Sequence, residues 1–122
     1  MAGSAMVFTE TVYGSVKKIK AAWTSDDTTG AVSGTATNNY SGQIIGAITV
    51  PGTAGTAPTN LYDVVVNDPD SVDVALGALI DRSSTLTQGV AAASMSIIVG
   101  KLTIAVTNAG NAKTGVIYLY IR

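Results

Sequence analysis

The sequence predicts an all-β protein: a single-domain antiparallel β-sandwich, jelly-roll-like, with an extended N-terminal arm over residues 1–15 and the sandwich over 16–122. Two observations carry that prediction. Apolar residues alternate with period two in several separate runs, such as Ile19, Ala21 and Trp23, or Ile117, Leu119 and Ile121. That is the pattern of strands with one buried face. Clusters of Gly, Pro, Asn, Asp and Ser break the chain into about seven or eight such runs, a spacing typical of sandwiches and barrels. No stretch keeps a helical period for long, and 122 residues suffice for one core but not comfortably for two.

The elements follow in order. Residues 1–15 read as the arm: Met6, Phe8 and Val12 are available for packing, while Gly3 and Gly14 loosen the stretch. Ile19, Ala21 and Trp23 alternate with Lys18, Lys20 and Ala22 as a half-buried strand, with Trp23 as a core anchor. Lys17, Lys18 and Lys20 are expected on a solvated strand edge. TSDDTTG is a turn in which the Asp side chains bond nearby amides and Gly30 supplies a positive φ. AVSGTAT is a strand and NNYSG a turn. QIIGAITV is a strand, either buried on both sides or bent at Gly46. PGTAGTAPTN is a loop, LYDVVV a strand and NDPDS a tight turn. VDVALGALI continues as strand, or as strand followed by an irregular turn. DRSSTLTQGVAAA reads as loop, with a short helix around Ser84–Val90 as the alternative. SMSIIVGKLTIAVTNAG is strand with a bulge at Gly100, and the last strand closes the chain.

Composition narrows the function. Charged residues are 12 % of the chain, about half of ordinary usage. The net charge is −1 and the three lysines near residue 18 are the only basic cluster, so a broad nucleic-acid-binding face is not expected. No apolar run approaches the ~20 residues that span a bilayer, and MAGSAMVFTE lacks the pattern of a signal peptide. The expectation is a soluble protein made in a cytoplasm. There is no cysteine for a disulfide or thiolate site, and no histidine to act as general base or metal ligand. Asp68, Asp70 and Asp73 form the one acidic cluster. It has neither the glycine nor the final glutamate of a calcium loop, and it reads as a turn with Pro69 at its second position. No catalytic residue, cofactor or metal site is expected, and the chain reads as a non-enzyme. Arg82 is expected to pair with Asp63 or Asp73 across strands.

Three long stretches carry a resemblance: YGSVKKIKAAWTSDDTTGAVSG; then YSGQIIGAITVPGTAGTAPTNLYDVVVNDPDSVDVALGALIDRSS; then KLTIAVTNAGNAKTGVIYLYIR. Together they resemble a family of small structural proteins encoded near the head genes of tailed phages and prophages, over roughly residues 13–122. The most specific part is the middle stretch, where Pro58, Tyr62, Asp63, Asp68, Asp73, Gly77 and Arg82 fall in place. The chain departs at Ser71, where many members have glycine. Asn108, Ala109, Gly110 and Gly115 carry the match at the end. The resemblance implies a virion component, foremost a capsid decoration (cement) protein on the outside of the head. Its partner would be the phage major capsid protein, and it would form a homotrimer. The alternative is a neck, tail or fibre module, including one that binds a receptor glycan and therefore exposes aromatics around a pocket.

The final strand sharpens this. Ile117, Leu119 and Ile121 have Leu102, Ile104 and Val106 as natural partners in a closing hairpin, which places Tyr118 and Tyr120 on the outer side beside Thr103, Ala105 and Thr107. The two rings are covered either by another part of the chain or by a second subunit. With Phe8, Val12 and Tyr13 of the arm, they are the expected subunit or capsid interface.

Overall fold

The structure is a computed structural model that describes residues 5–91 and 97–122. Among these, nine strands form two antiparallel sheets packed face to face. The strands are β1 (Ala5–Tyr13), β2 (Val16–Thr24), β3 (Val32–Thr35), β4 (Tyr40–Pro51), β5 (Asp63–Asn67), β6 (Gln88–Ala91), β7 (Ile97–Gly100), β8 (Thr103–Thr107) and β9 (Thr114–Ile121). The large sheet runs β1-β2-β9-β4-β6, with β7 pairing the first part of β4. The small sheet runs β3-β8-β5.

The core is the meeting of two inner faces. The large sheet contributes Ile19, Ala21, Trp23, Ile117, Leu119 and Ile121; Val32, Val64, Val66, Ile104 and Val106 answer from the small sheet. All are buried, as alternation predicted. Full burial of such side chains contributes about 1.5–3 kcal/mol each. Trp23 packs against Tyr62 with ring centroids 5.7 Å apart.

Several elements differ from the expectation. Residues 5–13 are extended but not a free arm: β1 pairs along its whole length with β2. Gly14, at φ 60°, turns a two-residue hairpin loop instead of loosening the stretch. β2 is therefore internal, and Lys18 and Lys20 do not lie on a sheet edge. β8 and β9 do not form a hairpin. They lie in opposite sheets, and Leu102, Ile104 and Val106 meet the β9 residues across the core. β4 is not buried on both sides. Its register shifts between Ile44 and Gly46, and the buried positions change parity there, from Tyr40 and Ile44 to Ala47 and Thr49. That is the action of a bulge, close to the expected bend. Of the two alternatives for VDVALGALI the structure takes the irregular turn, a run of turns over Val74–Ile80 after the Asp73 bridge, and Gly100, at φ 106°, ends β7 where the chain leaves for the other sheet. No helix forms over 84–90; Gln88 begins β6. The expected strand residues Ser94, Met95 and Ser96 lie outside the described residues.

The turns behave as their chemistry dictates. Asp26 Oδ1 accepts the amides of Thr28 (2.7 Å) and Thr29 (3.0 Å), bonds that hold its carboxyl below the ordinary value. Gly30 takes φ 69°. Asp68 Oδ1 accepts from Asp70 and Val72, while Asp73 accepts from Val66, Ala75 and Gly77. The acidic cluster thus spends its oxygens on backbone amides. Arg82 pairs with neither expected partner: it is buried, and donates to Thr49 Oγ1 and the Ala78 carbonyl, each at 3.0 Å. Asp63 instead accepts from the Asp81 amide and from Asn108 Nδ2.

Burial pushes the Tyr62 phenol above its ordinary value, against the opposing pull of Thr49 and Arg82; burial and then the Glu10 carboxylate do the same to Tyr40. Unfolded phenols ionise near pH 10, while these two keep their protons in the fold. The unfolded chain then binds fewer protons than the native one, so stability falls as pH rises beyond about 10 and is unaffected by these groups below it. Urea midpoints measured from neutral to alkaline pH should drop from that point, and Tyr62→Phe should flatten the drop. An equally steep fall in the variant would assign it to other groups.

Candidate interaction face

The two sheets present different outer faces. On the small sheet this face is short and mixed: Thr35, Thr103 and Asn67 form one row, with the Thr35 and Thr103 hydroxyls 2.9 Å apart, and Ser33, Ala105 and Val65 the next. The outer face of the large sheet is apolar and aromatic. Its rows follow from the register. Val7, Ala22, Val116 and Val50 form one row; Thr9, Lys20, Tyr118 and Ile48 the next; Thr11, Lys18, Tyr120 and Gly46 the third. None of these residues is a carboxylate.

Tyr118 and Tyr120 therefore lie beside β2 and β4, not beside Thr103, Ala105 and Thr107 of the other sheet. Both are half-buried, and no described strand lies over them. Lys18 reaches across the pair, its Nζ 4.6 Å from the Tyr118 ring centre and 5.9 Å from that of Tyr120. Such a contact contributes about 0.5–1 kcal/mol at an exposed site and fixes the ring orientation. The face is thus an ordered platform of two rings with an ammonium at its centre and aliphatic rows beside it.

Of the other expected interface residues, Tyr13 joins this face by the alternation of β1 and is exposed. Val12, also exposed, sits at the hairpin end on the opposite side of the strand. Phe8 turns inward: it is half-buried, packed on the core and against Gly34 of β3, where an added Cβ would come within 3.1 Å of its ring. The structure therefore brings Tyr13, Tyr118 and Tyr120 to one face and gives Phe8 to the interior. Lys18 is the member missed in the sequence. Its alternation with Ile19 placed it on an outer face, but only the β2–β9 pairing puts it over the tyrosines.

The face offers apolar and aromatic surface around the Lys18 ammonium. A shallow depression of about 350 Å³ at its end is lined by Val7, Ala22, Val50, Pro51, Thr114 and Val116 among others, with no ionisable side chain. Among the described residues no cluster of three or more acidic side chains could hold a metal ion. The fold and this face define a two-sheet β-protein with one aromatic side that no described strand covers. Beyond that class, no protein-family model, curated protein or solved structure matches the chain.

Proposed function

We propose that the chain is a non-enzymatic virion structural protein: a capsid decoration (cement) protein that binds the major capsid protein outside a tailed-phage head and bridges neighbouring capsomers. The observation that carries this reading is the carboxylate-free tyrosine and aliphatic face of the large sheet, left open by every described strand. Tyrosine is favoured where an apolar ring is covered and its hydroxyl reaches the rim of a contact. The resemblance of residues 13–122 to small phage head proteins points the same way. On this reading the fold is jelly-roll-like, the chain passing repeatedly from one sheet to the other between β2 and β9, and the working form is a homotrimer. Modest affinity per contact then suffices, because a trimer touching several capsomers gains from avidity.

The Tyr118→Ser/Tyr120→Ser variant separates assembly from folding. Each ring is only half-buried, so the double change should cost the monomer no more than about 2 kcal/mol. It should retain its circular dichroism spectrum while losing binding to heads stripped of the protein, read by co-sedimentation. Unfolding of the variant would place the rings in the monomer's own core. Cryo-electron microscopy of the particle carrying the chain tests the location: density on the outer head supports the reading, and density confined to neck or tail overturns it.

A further inference from the structure

Two surfaces of this chain complement each other, and we infer that copies associate head to tail, the tyrosine–lysine face of one seating a leucine ridge on the next. This deepens the homotrimer of the decoration reading and rests on it only there: the face serves the contact between copies, and Tyr118→Ser/Tyr120→Ser loses head binding through lost avidity.

The ridge is built by residues 61–82. After β5 the chain turns back along the free side of that strand, with Val74 N donating to the Val66 carbonyl (2.8 Å), Val64 N to that of Leu79 (2.9 Å) and Leu61 N to that of Arg82 (2.9 Å). Val74, Ala75 and Leu79 turn inward and are buried. Leu61, Val72, Leu76 and Ile80 are left in solvent along the segment. Two of them are unusual. Leu61 is 55 % exposed at φ 67°, and Leu76 is 60 % exposed at φ 54°. Left-handed backbone favours glycine or asparagine and disfavours a bulky side chain. Neither the core nor the local backbone accounts for leucine at these positions; an apolar contact outside the chain does.

Charge identifies the occupant. Five of the eight carboxylates, Asp63, Asp68, Asp70, Asp73 and Asp81, fall within this one stretch, and its only cation, Arg82, is buried. The large sheet's outer face has the opposite balance: Lys18 and Lys20 and no carboxylate, around two tyrosine rings and aliphatic rows. Exposed aliphatic side chains in an acidic stretch and aromatic rings beside lysines match in apolar character and in sign of charge. The two surfaces belong to different parts of one chain, so the contact is heterologous. Made once per pair, it generates a closed ring or an open filament; returned by the same partner, it closes a two-fold dimer.

Two variants test this in sedimentation velocity. Leu61→Asn/Leu76→Asn removes the ridge with a residue suited to left-handed backbone, so the fold is retained. Lys18→Glu/Lys20→Glu spoils the face; should it fail to fold, Tyr118→Ser/Tyr120→Ser replaces it. The unaltered chain should sediment faster than a monomer, and each variant alone should be monomeric. A one-to-one mixture should form a heterodimer, because the intact face of the first variant takes the intact ridge of the second. A wild-type monomer at micromolar concentration, or a mixture that stays monomeric, would overturn the proposal.

Discussion

Gly115→Ala is expected to destabilise the protein by about 3 kcal/mol, a large effect for one methyl group. Gly115 lies in β9 opposite Trp23 in β2, on the inner face. Its backbone is ordinary strand, so the reason for glycine is space. A Cβ there would overlap the indole Cζ2, and would stand 2.7 Å from Cε2 and 2.9 Å from Nε1. Trp23 has nowhere to go, being 2 % exposed and held against Tyr62. The glycine therefore forms the floor on which the tryptophan lies. Trp23→Phe removes the indole atoms that would collide, and should itself cost about 2 kcal/mol in lost contacts. The indole N–H has no hydrogen-bond partner among the described residues, so no bond is lost with it. Combining the two changes should be clearly less harmful than their sum, with a coupling of at least about 1 kcal/mol in urea unfolding. Strict additivity would show that the strand moves aside and that the floor is not rigid.

Which residues face inward was legible; which strands are neighbours was not. Ile19, Ala21 and Trp23 and their counterparts in β8 and β9 are all buried, because a period of two reports the pleat directly. The same pattern is silent on pairing. A turn such as TNAGNAK serves equally for a hairpin and for a crossing between sheets. Here it crosses, with Asn108, Gly110 and Ala112 at positive φ. Ser25, at the end of β2, anchors it: its Oγ donates to the Gly110 carbonyl (2.6 Å) and accepts the Lys113 amide (2.8 Å). These contacts span more than eighty residues of chain, which no local pattern encodes. The same limit governs the site. That Tyr118 and Tyr120 face away from the core could be read from β9 alone. That Lys18 lies over them depends on the β2–β9 register. That Leu61 and Leu76 are exposed depends on the fold-back of 73–82, where alternation suggested more strand.

Arg82 yields the second large effect, through a contrast among three variants. Its guanidinium is buried, and burial lowers its hold on the proton, with the Tyr62 phenol acting the other way. Its hydrogen bonds go to neutral acceptors, the Thr49 hydroxyl and the Ala78 carbonyl. A buried charge satisfied in this manner carries its desolvation cost without the return attraction of an ion pair. Arg82→Ala should therefore be strongly destabilising, by about 3 kcal/mol, because the aliphatic stem is lost from between β4 and the 73–82 segment and a cavity replaces it. Arg82→Met keeps most of that volume but strands the buried Thr49 oxygen, while the part-buried Ala78 carbonyl turns to water, and should lose about 1–2 kcal/mol. Arg82→Met/Thr49→Val removes the stranded group as well, and should recover wild-type stability or exceed it. The order of urea midpoints, with the double variant at or above wild type and Arg82→Ala lowest, is the measurement. If the double variant is as unstable as Arg82→Ala, the cation itself holds the two sheets together, and the stem's packing is not what it contributes.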